Sequence, residues 1–346
     1  MTTIYEELSK ERKKMQSSGE MPEFFTTAGW QLFKSKYLYD AKTPKDQYKR
    51  IAKTAAKHIK NKPDWLKQES WEDAFFDLLW KGWLSPSTPV LANMGTDRGL
   101  PVSCAGQYVG DSIDEIYKAF HETAILTKHG FGTAGLLDLR GRGDKISVGG
   151  TSLGLLPVVK HFIEDMKYVS QGSARRGSFA SYIDIEHKDF EEVVNYIEQF
   201  PDDANIGWVV KDAFIAKLNK GEKGTVERYQ KALKTKMVTG KGYFFFVDKV
   251  NRQRPQSYIN NNLKVNNAQL CAEVMLHNSE EYTYTCVLSS MNAALYDEWK
   301  DTNAVRVATV FLDCVVSEFI EKAKNINGLQ KAVAFTEKGR ALGSVS

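Results

Sequence analysis

The chain has 346 residues, 47 basic against 43 acidic side chains for a formal charge of +4, 42% apolar and 12% aromatic content, and four cysteines. Nearly matched charge without a long basic run gives no case for nucleic-acid binding, and no apolar run reaches the roughly 18 residues of a membrane span. A charged start with no leader pattern and no repeat of roughly 20–50 residues argue against secreted disulfide scaffolds and solenoids, leaving a cytoplasmic globular protein with reduced thiols.

Residues 1–85 read as a helical region. Trp30, Leu32, Phe33, Tyr37 and Leu38 cluster in one segment, and a lysine-rich helix spans about Lys45 to Lys60. Ser70 is a good N-cap with Asp73 three residues on, and Trp71, Phe75, Leu78 and Leu79 keep helical spacing up to Gly82. At Leu84-Ser-Pro-Ser-Thr-Pro the composition turns to turn and strand chemistry, which places a boundary near residue 85.

Residues 86–346 alternate strands with helices. A strand near 102–109 leads to a helix opened by a Ser112/Glu115 capping box and ended at Gly130, and a helix near 156–170 follows. Strands begin at Phe179, Ile206 and Gly242, with helices near 187–199, 211–220 and 225–237. This alternation predicts an α/β architecture with a largely parallel sheet. A helix from about Thr302 to Lys324 carries Val307, Phe311, Cys314, Val315 and Glu318 on one face, so Cys314 reads as a buried apolar residue.

The other three cysteines sit in unlike settings: Cys104 after Leu-Pro-Val-Ser, Cys271 in Gln-Leu-Cys-Ala-Glu, and Cys286 in Tyr-Thr-Cys-Val-Leu. None forms a Cys-x-x-Cys pair, so zinc and thioredoxin-like sites have little support and no metal site is expected. If Cys271-Ala-Glu273 is extended, thiol and carboxylate share one face, and the carboxylate raises the thiol pKa. That suits a neutral hydrogen-atom carrier better than a thiolate nucleophile, but taken alone the triplet is weak evidence, and a chance pairing of a buried cysteine with a surface glutamate is the better reading of it. His277 is the one histidine nearby, which is thin support for a Cys/His hydrolase.

Taken together, Thr88-Pro89, Ser103-Cys104, Gly110-Asp111-Ser112-Ile113, Gly130-Phe131-Gly132, Arg140, Ser170 to Gly177, Cys271-Ala-Glu273 and Thr285-Cys286 resemble the large, catalytic subunit of ribonucleotide reductase in order and spacing over most of residues 25–343. The resemblance implies an N-terminal helical region followed by the first half of a ten-stranded α/β barrel with a finger loop. It implies that Cys271 becomes the thiyl radical, that Glu273 is the general base, and that Cys104 and Cys286 form the reducing dithiol. Thr88, Ser103 and Gly130 match substrate-holding positions. Asp111, Ser112, Ile113 and Arg140 match the specificity site for a deoxynucleotide or ATP effector at a dimer interface. Residues 172–181 match the loop that passes effector identity to substrate choice, with Arg175 or Arg176 as base reader.

The same resemblance implies the partners: a ribonucleotide substrate, a small metal-containing subunit that supplies the radical, a thioredoxin- or glutaredoxin-type reductant, and a second copy of the chain. No cofactor is expected on the chain itself. Three departures stand out. Gln269 occupies a position where the family usually has Asn, the N-terminal region is too short for an ATP-cone domain, and nothing matches the barrel's later strands or relay tyrosines. These lead to the expectation of a class I fragment completed by a complementary C-terminal large-subunit chain. An adenosylcobalamin-dependent class II fragment and a non-catalytic nucleotide-binding scaffold are the alternatives.

Overall fold

The computed structural model describes residues 3–171 and 175–345; Gly172, Ser173 and Ala174 of the expected effector loop lie outside them. Four helices open the chain, Ile4–Ser17, Thr27–Lys36, Pro44–Ala56 and Trp71–Trp80. Thr3, Thr26, Thr43 and Ser70 cap them, each side chain accepting a backbone N–H of the first turn. Their apolar stripes do not form a separate core: Trp30, Ile51 and Phe75 join Phe311, Val315 and Phe319 of the helix Ala304–Ala323 in one cluster. Phe75 and Phe311 meet edge to face at 5.4 Å between ring centroids.

Among the described residues ten strands follow: β1 Leu84–Pro86, β2 Cys104–Val109, β3 Gly132–Leu137, β4 Ser170–Gln171, β5 Arg175–Arg176, β6 Phe179–Asp184, β7 Asn205–Val210, β8 Tyr243–Phe246, β9 Tyr284–Met291 and β10 Leu342–Val345. The main sheet runs β1-β9-β2-β3-β6-β7-β8 with β10 on β9, and β4 and β5 form a small ribbon of their own. From β2 to β8 every pairing is parallel, as the alternation with helices predicts; β9 reverses direction against both β1 and β2.

Helices Ile113–Lys128, Leu156–Tyr168, Phe190–Gln199, Asp212–Asn219 and Lys223–Thr239 supply the crossovers. The strand period of two sorts the side chains. Phe179, Ile183, Trp208 and Val210 face the crossover helices, whereas Ala134, Ala180, Tyr182, Val209 and Phe245 face the other way and pack on Val265 and Ala268 of the segment between β8 and β9. This second set is the barrel interior, and the segment inside it is the finger loop.

Several local expectations change. The turn after Ser87 holds a short helix, Thr88–Asn93, because Pro89 in its first turn presets the helical φ. A helix Gln330–Gly339 follows the long one. At Ser112 the cap forms, with Glu115 N–H donating at 3.1 Å, but the reciprocal half of the box does not. The Glu115 carboxylate takes the Ser112 hydroxyl at 2.9 Å instead.

Candidate active site

β2 and β9 are held in a register that makes Cys104 and Cys286 direct partners. Residues facing each other across antiparallel strands have Cα atoms about 4.5–5.5 Å apart. A disulfide spans about 4.4–6.8 Å, so the register puts the pair in the range of Cα separation that a disulfide needs. Both thiols are free and buried. Burial pushes Cys104 up to about 11, against the opposing pull of the Arg175 guanidinium, and pushes Cys286 up to about 12, with Cys104 and Glu273 adding to it.

The finger loop brings Cys271 to this pair. Its base is fastened by amides: Asn278 Nδ2 donates to Gln107 O and to Asn267 Oδ1 at 2.7 Å each, and Asn266 Nδ2 donates to Asn278 O at 2.8 Å. Its tip closes on Gln269. The Gln269 N–H donates to Val274 O at 3.0 Å, Val274 N–H returns to Gln269 Oε1 at 2.7 Å, and Tyr182 Oη donates to Gln269 O at 2.9 Å. Because Oε1 must face a backbone donor, Nε2 points the other way, and it is buried without a partner. The extra methylene of Gln over Asn thus lets one amide oxygen lock the tip while its nitrogen stays free.

Cys271 and Glu273 are not on an extended segment, as the triplet suggested. Ala272 between them has φ 65 and its N–H returns to Gln269 O at 3.1 Å, so the triplet is a tight turn. A left-handed alanine costs roughly 1–2 kcal/mol, a strain that the Gln269 bonds sustain. Both side chains are exposed at the tip. Although exposed, Cys271 is partly screened from water by its neighbours, and this desolvation first and the Glu273 charge second hold it above the usual thiol range, with Arg175 opposing.

Arg175, on β5, reaches in from the side. Its Nη1 donates to Ser103 O at 2.8 Å and to Gly130 O at 2.9 Å. Gly130 holds φ 101, which favours glycine, and a Cβ on Gly132 would lie 2.9 Å from both Arg175 Nη2 and Leu270 Cδ2, so a side chain there would push on the ends of both. Ser103 Oγ, one residue from Cys104, is buried without a partner. Thr88 opens the short helix, with Oγ1 3.3 Å from Tyr37 Oη.

The effector candidates gather at the other end of β2. Arg140 donates from Nε to Asp111 Oδ2 at 2.7 Å and from its N–H to Asp111 Oδ1 at 3.1 Å. Ser112 caps the next helix, on which Ile113 is exposed. At about 3.3 Å per residue, this cluster is roughly 20 Å along the strand from Cys104. Arg175 therefore joins the cysteine end rather than this cluster, and Arg176 is exposed on the ribbon. Two tyrosines that sequence reasoning missed also face the cysteines. Tyr182 and Tyr284 lie over Gly207 and Gly106, their partners on the neighbouring strands. A tyrosine opposite a glycine in adjacent strands was the available signal, but it needs the register to be known.

A half-barrel wrapped on a loop whose tip carries a thiol beside a cross-strand cysteine pair is the scaffold that the sequence resemblance implies. The comparisons with known proteins agree. The family model "Ribonucleotide reductase, barrel domain" matches residues 102–231 and 227–332, and "Ribonucleotide reductase, all-alpha domain" matches residues 23–99. The chain belongs to the ribonucleotide reductase large-subunit family.

It is 32% identical over 269 residues to a ribonucleoside-diphosphate reductase large subunit of Frog virus 3, a match that covers 71% of this chain and 46% of the relative. The large subunit of Invertebrate iridescent virus 3 is 24% identical, with 92% of this chain and 60% of that protein covered. The solved class Id ribonucleotide reductase alpha subunit of Actinobacillus ureae superposes with a TM-score of 0.81 at 36% identity, over 91% of this chain and 58% of that one. The chain thus spans about half the length of these relatives.

Proposed function

We propose that the chain is the catalytic part of a ribonucleoside-diphosphate reductase and that Cys271 is its radical thiol. The observation that carries this reading is the meeting of a loop-tip cysteine and carboxylate with a cross-strand dithiol inside a barrel. A Cys271 sulfur radical takes the 3′ hydrogen of the ribose. Glu273 accepts the 3′ hydroxyl proton as the 2′ hydroxyl leaves as water. Cys104 and Cys286 then give two electrons and two protons and end as one disulfide, Cys271 returns the hydrogen atom to C3′ and regains its radical, and a thioredoxin- or glutaredoxin-type dithiol reopens the disulfide. Ser103, Gly130, Thr88 and Gln269 Nε2 hold the substrate. Neutral thiols suit this chemistry, and the raised pKa values of all three cysteines keep them neutral at pH 7.

Asp111, Ser112, Ile113 and Arg140 bind a deoxynucleotide or ATP effector where two copies of the chain meet, and Arg176 with the neighbouring loop reads its base. The radical comes from a small metal-containing subunit, and β8 and β10, which have no further strand partner among the described residues, pair with the remaining strands of the barrel, in a cytoplasmic assembly. Among the described residues, no helix is long and apolar enough to cross a membrane.

A second reading has one observation behind it: vitamin B12-dependent reductases also match, such as that of Mycobacterium tuberculosis at 28% identity over 71% of this chain. The experiment mixes the chain with the candidate fragment and small subunit and assays effector-dependent ribonucleotide reduction. Activity only in the full mixture, lost in Cys271→Ser and reduced about 10²–10⁴-fold in Glu273→Gln, is the expected result. Activity with adenosylcobalamin and no small subunit moves the chain to the second reading, and full activity of Cys271→Ser overturns both.

A further inference from the structure

An aspartate at the N-cap of a helix ordinarily accepts a bond from that helix's own first turn. Asp189 stands at the N-cap of the helix Phe190–Gln199 and makes no such bond. It is 5% exposed, and its carboxylate turns instead to the stretch that follows β3. Arg142 N–H donates to Oδ1 at 2.9 Å and to Oδ2 at 3.1 Å, and Leu155 N–H donates to Oδ2 at 2.8 Å. One buried carboxylate thus closes both feet of the loop 142–155. A Cβ on Gly154, which holds φ 90, would lie 2.5 Å from Oδ2, so glycine there lets the carboxylate reach the second foot.

The loop has no apolar anchor of its own. Among the described residues, none from 141 to 154 belongs to a buried apolar cluster, and Val148 and Leu153 are 89% and 71% exposed. Within the loop Gly143 N–H donates to Ser152 O at 2.9 Å, and Ser152 N–H donates to Asp144 O at 2.8 Å, which makes a narrow hairpin. Two further ties come from beside Asp189: Lys188 Nζ donates to Asp144 Oδ1, and Arg142 Nη2 donates to Glu192 Oε1, each at 2.6 Å. Both of those pairs are exposed and so worth little. The bonds to Asp189 are charge-assisted and buried, where they are strong.

The loop in turn fixes Arg140. Its Nη1 donates to Lys145 O at 2.7 Å, while its Nε and its N–H hold Asp111. The guanidinium is thereby held from two sides, by a carboxylate and by a loop carbonyl.

We propose that Asp189 is a positioning residue of the effector site, clasping the loop 142–155 so that Lys145 O keeps the Arg140 guanidinium in place for an anionic nucleotide. This rests on reading Asp111, Ser112, Ile113 and Arg140 as the effector residues. Asp189 acts through the loop and does not touch the nucleotide. Without the clasp, the loop and the arginine must be ordered as the nucleotide binds, and that cost is taken from the affinity.

The test measures binding of dTTP to the full chain by calorimetry, with trypsin cleavage after Lys145 and thermal unfolding beside it. Asp189→Ala removes the clasp, Gly154→Ala pushes on it from the loop side, and Arg140→Ala removes the guanidinium. Ile197→Ala loosens the buried face of the same helix about two turns from Asp189 and is the control for general loosening. Asp189→Ala and Gly154→Ala are expected to bind dTTP about ten-fold more weakly and to be cut about ten-fold faster, the worth of one hydrogen bond to a charged group. Ile197→Ala is expected to melt lower and yet to bind dTTP and resist trypsin as the wild type does.

Wild-type affinity or wild-type cleavage in Asp189→Ala, with binding by Arg140→Ala weakened, overturns the proposal and leaves the effector reading standing. A loss of affinity in Ile197→Ala equal to that in Asp189→Ala overturns it too, because it marks a loosened fold. Should Asp189→Ala not fold, Gly154→Ala decides alone by the same two readings. If the wild type does not bind dTTP, or Arg140→Ala binds it equally well, the effector reading fails and the proposal falls with it.

Discussion

Cys286 and Cys314 lie on opposite sides of the same sheet, and by burial and acidity they are twins. They are 3% and 2% exposed, and burial pushes each thiol up to about 12. Their neighbours differ. Cys314 sits on the helix Ala304–Ala323 among Phe311, Val315 and Phe319, in the core that joins the N-terminal helices to the barrel. Cys286 faces a second cysteine across a strand pair, with a carboxylate at the loop tip beside it.

The polar groups follow the same division. Near Cys314's helix, buried Glu318 is matched by Lys57 Nζ at 2.7 Å and His58 Nε2 at 3.0 Å, and Lys322 Nζ donates to Gly99 O at 2.7 Å. Around the dithiol, Ser103 Oγ, Gln269 Nε2 and Tyr284 Oη are buried with no partner. Buried polar atoms are nearly always satisfied, so a cluster of orphans marks a place built for a ligand or a reaction, whereas matched pairs mark a place built for packing. A buried thiol is told apart by its company.

The comparison breaks or sharpens in four measurements. The largest expected effect is on turnover in the reconstituted assembly: Cys286→Ala abolishes multiple turnovers, whereas Cys314→Ala keeps turnover, although each loses about 1–2 kcal/mol of stability. Loss of turnover in Cys314→Ala would erase the distinction. Next, Phe311→Ala, which opens the shared core beside Phe75, costs about 3–5 kcal/mol in denaturant unfolding. A change much smaller than that would mean the N-terminal helices do not share a core with the barrel.

Glu318→Gln comes third, at about 1–2 kcal/mol, reduced because Lys57 keeps part of its side chain in water. Burial alone would raise the Glu318 pKa, but the hydrogen bonds from Lys57 and His58 outweigh it and bring it below the usual carboxylate value of 4.5. A lowered folded-state pKa means that this contribution is fully present above the ordinary carboxylate range and is lost as pH falls through the lowered value. The wild type should lose stability below about pH 4.5 more steeply than Glu318→Gln; equal slopes would remove Glu318 from the account. The smallest effect on stability is at Asp111→Asn. Its partly exposed pair with Arg140 is worth at most about 1 kcal/mol, yet effector dependence of the reconstituted activity should disappear.

Much of the fold was legible because it is written locally. Ser70 and Ser112 announce their helices through capping chemistry, and the period of two at Phe179 and Ile206 announces strands. The catalytic candidates were legible as a set, through the order of Cys104, Cys271, Glu273 and Cys286 along the chain. The conformation at Cys271 was not: alternation suggested an extended triplet, and the bonds closed by Gln269 turned Ala272 left-handed. Arg175 and Arg176 could not be told apart either, since neighbours in an extended ribbon point to opposite sides and only the surroundings of each side say which one is the site.

By itself, then, the sequence determined which segments become helices and strands, the family to which they belong, and which residue types are available for chemistry, because capping, periodicity and motif order are properties of neighbouring residues. Only the tertiary structure decided that Cys104 faces Cys286, that Arg175 reaches the Ser103 and Gly130 carbonyls, and that Tyr284 lies over Gly106 with an unpaired hydroxyl. Those facts depend on strand register and on a loop threaded through the barrel. Both are set by long-range pairing, in which a slip of one residue would carry every one of these side chains to the other face.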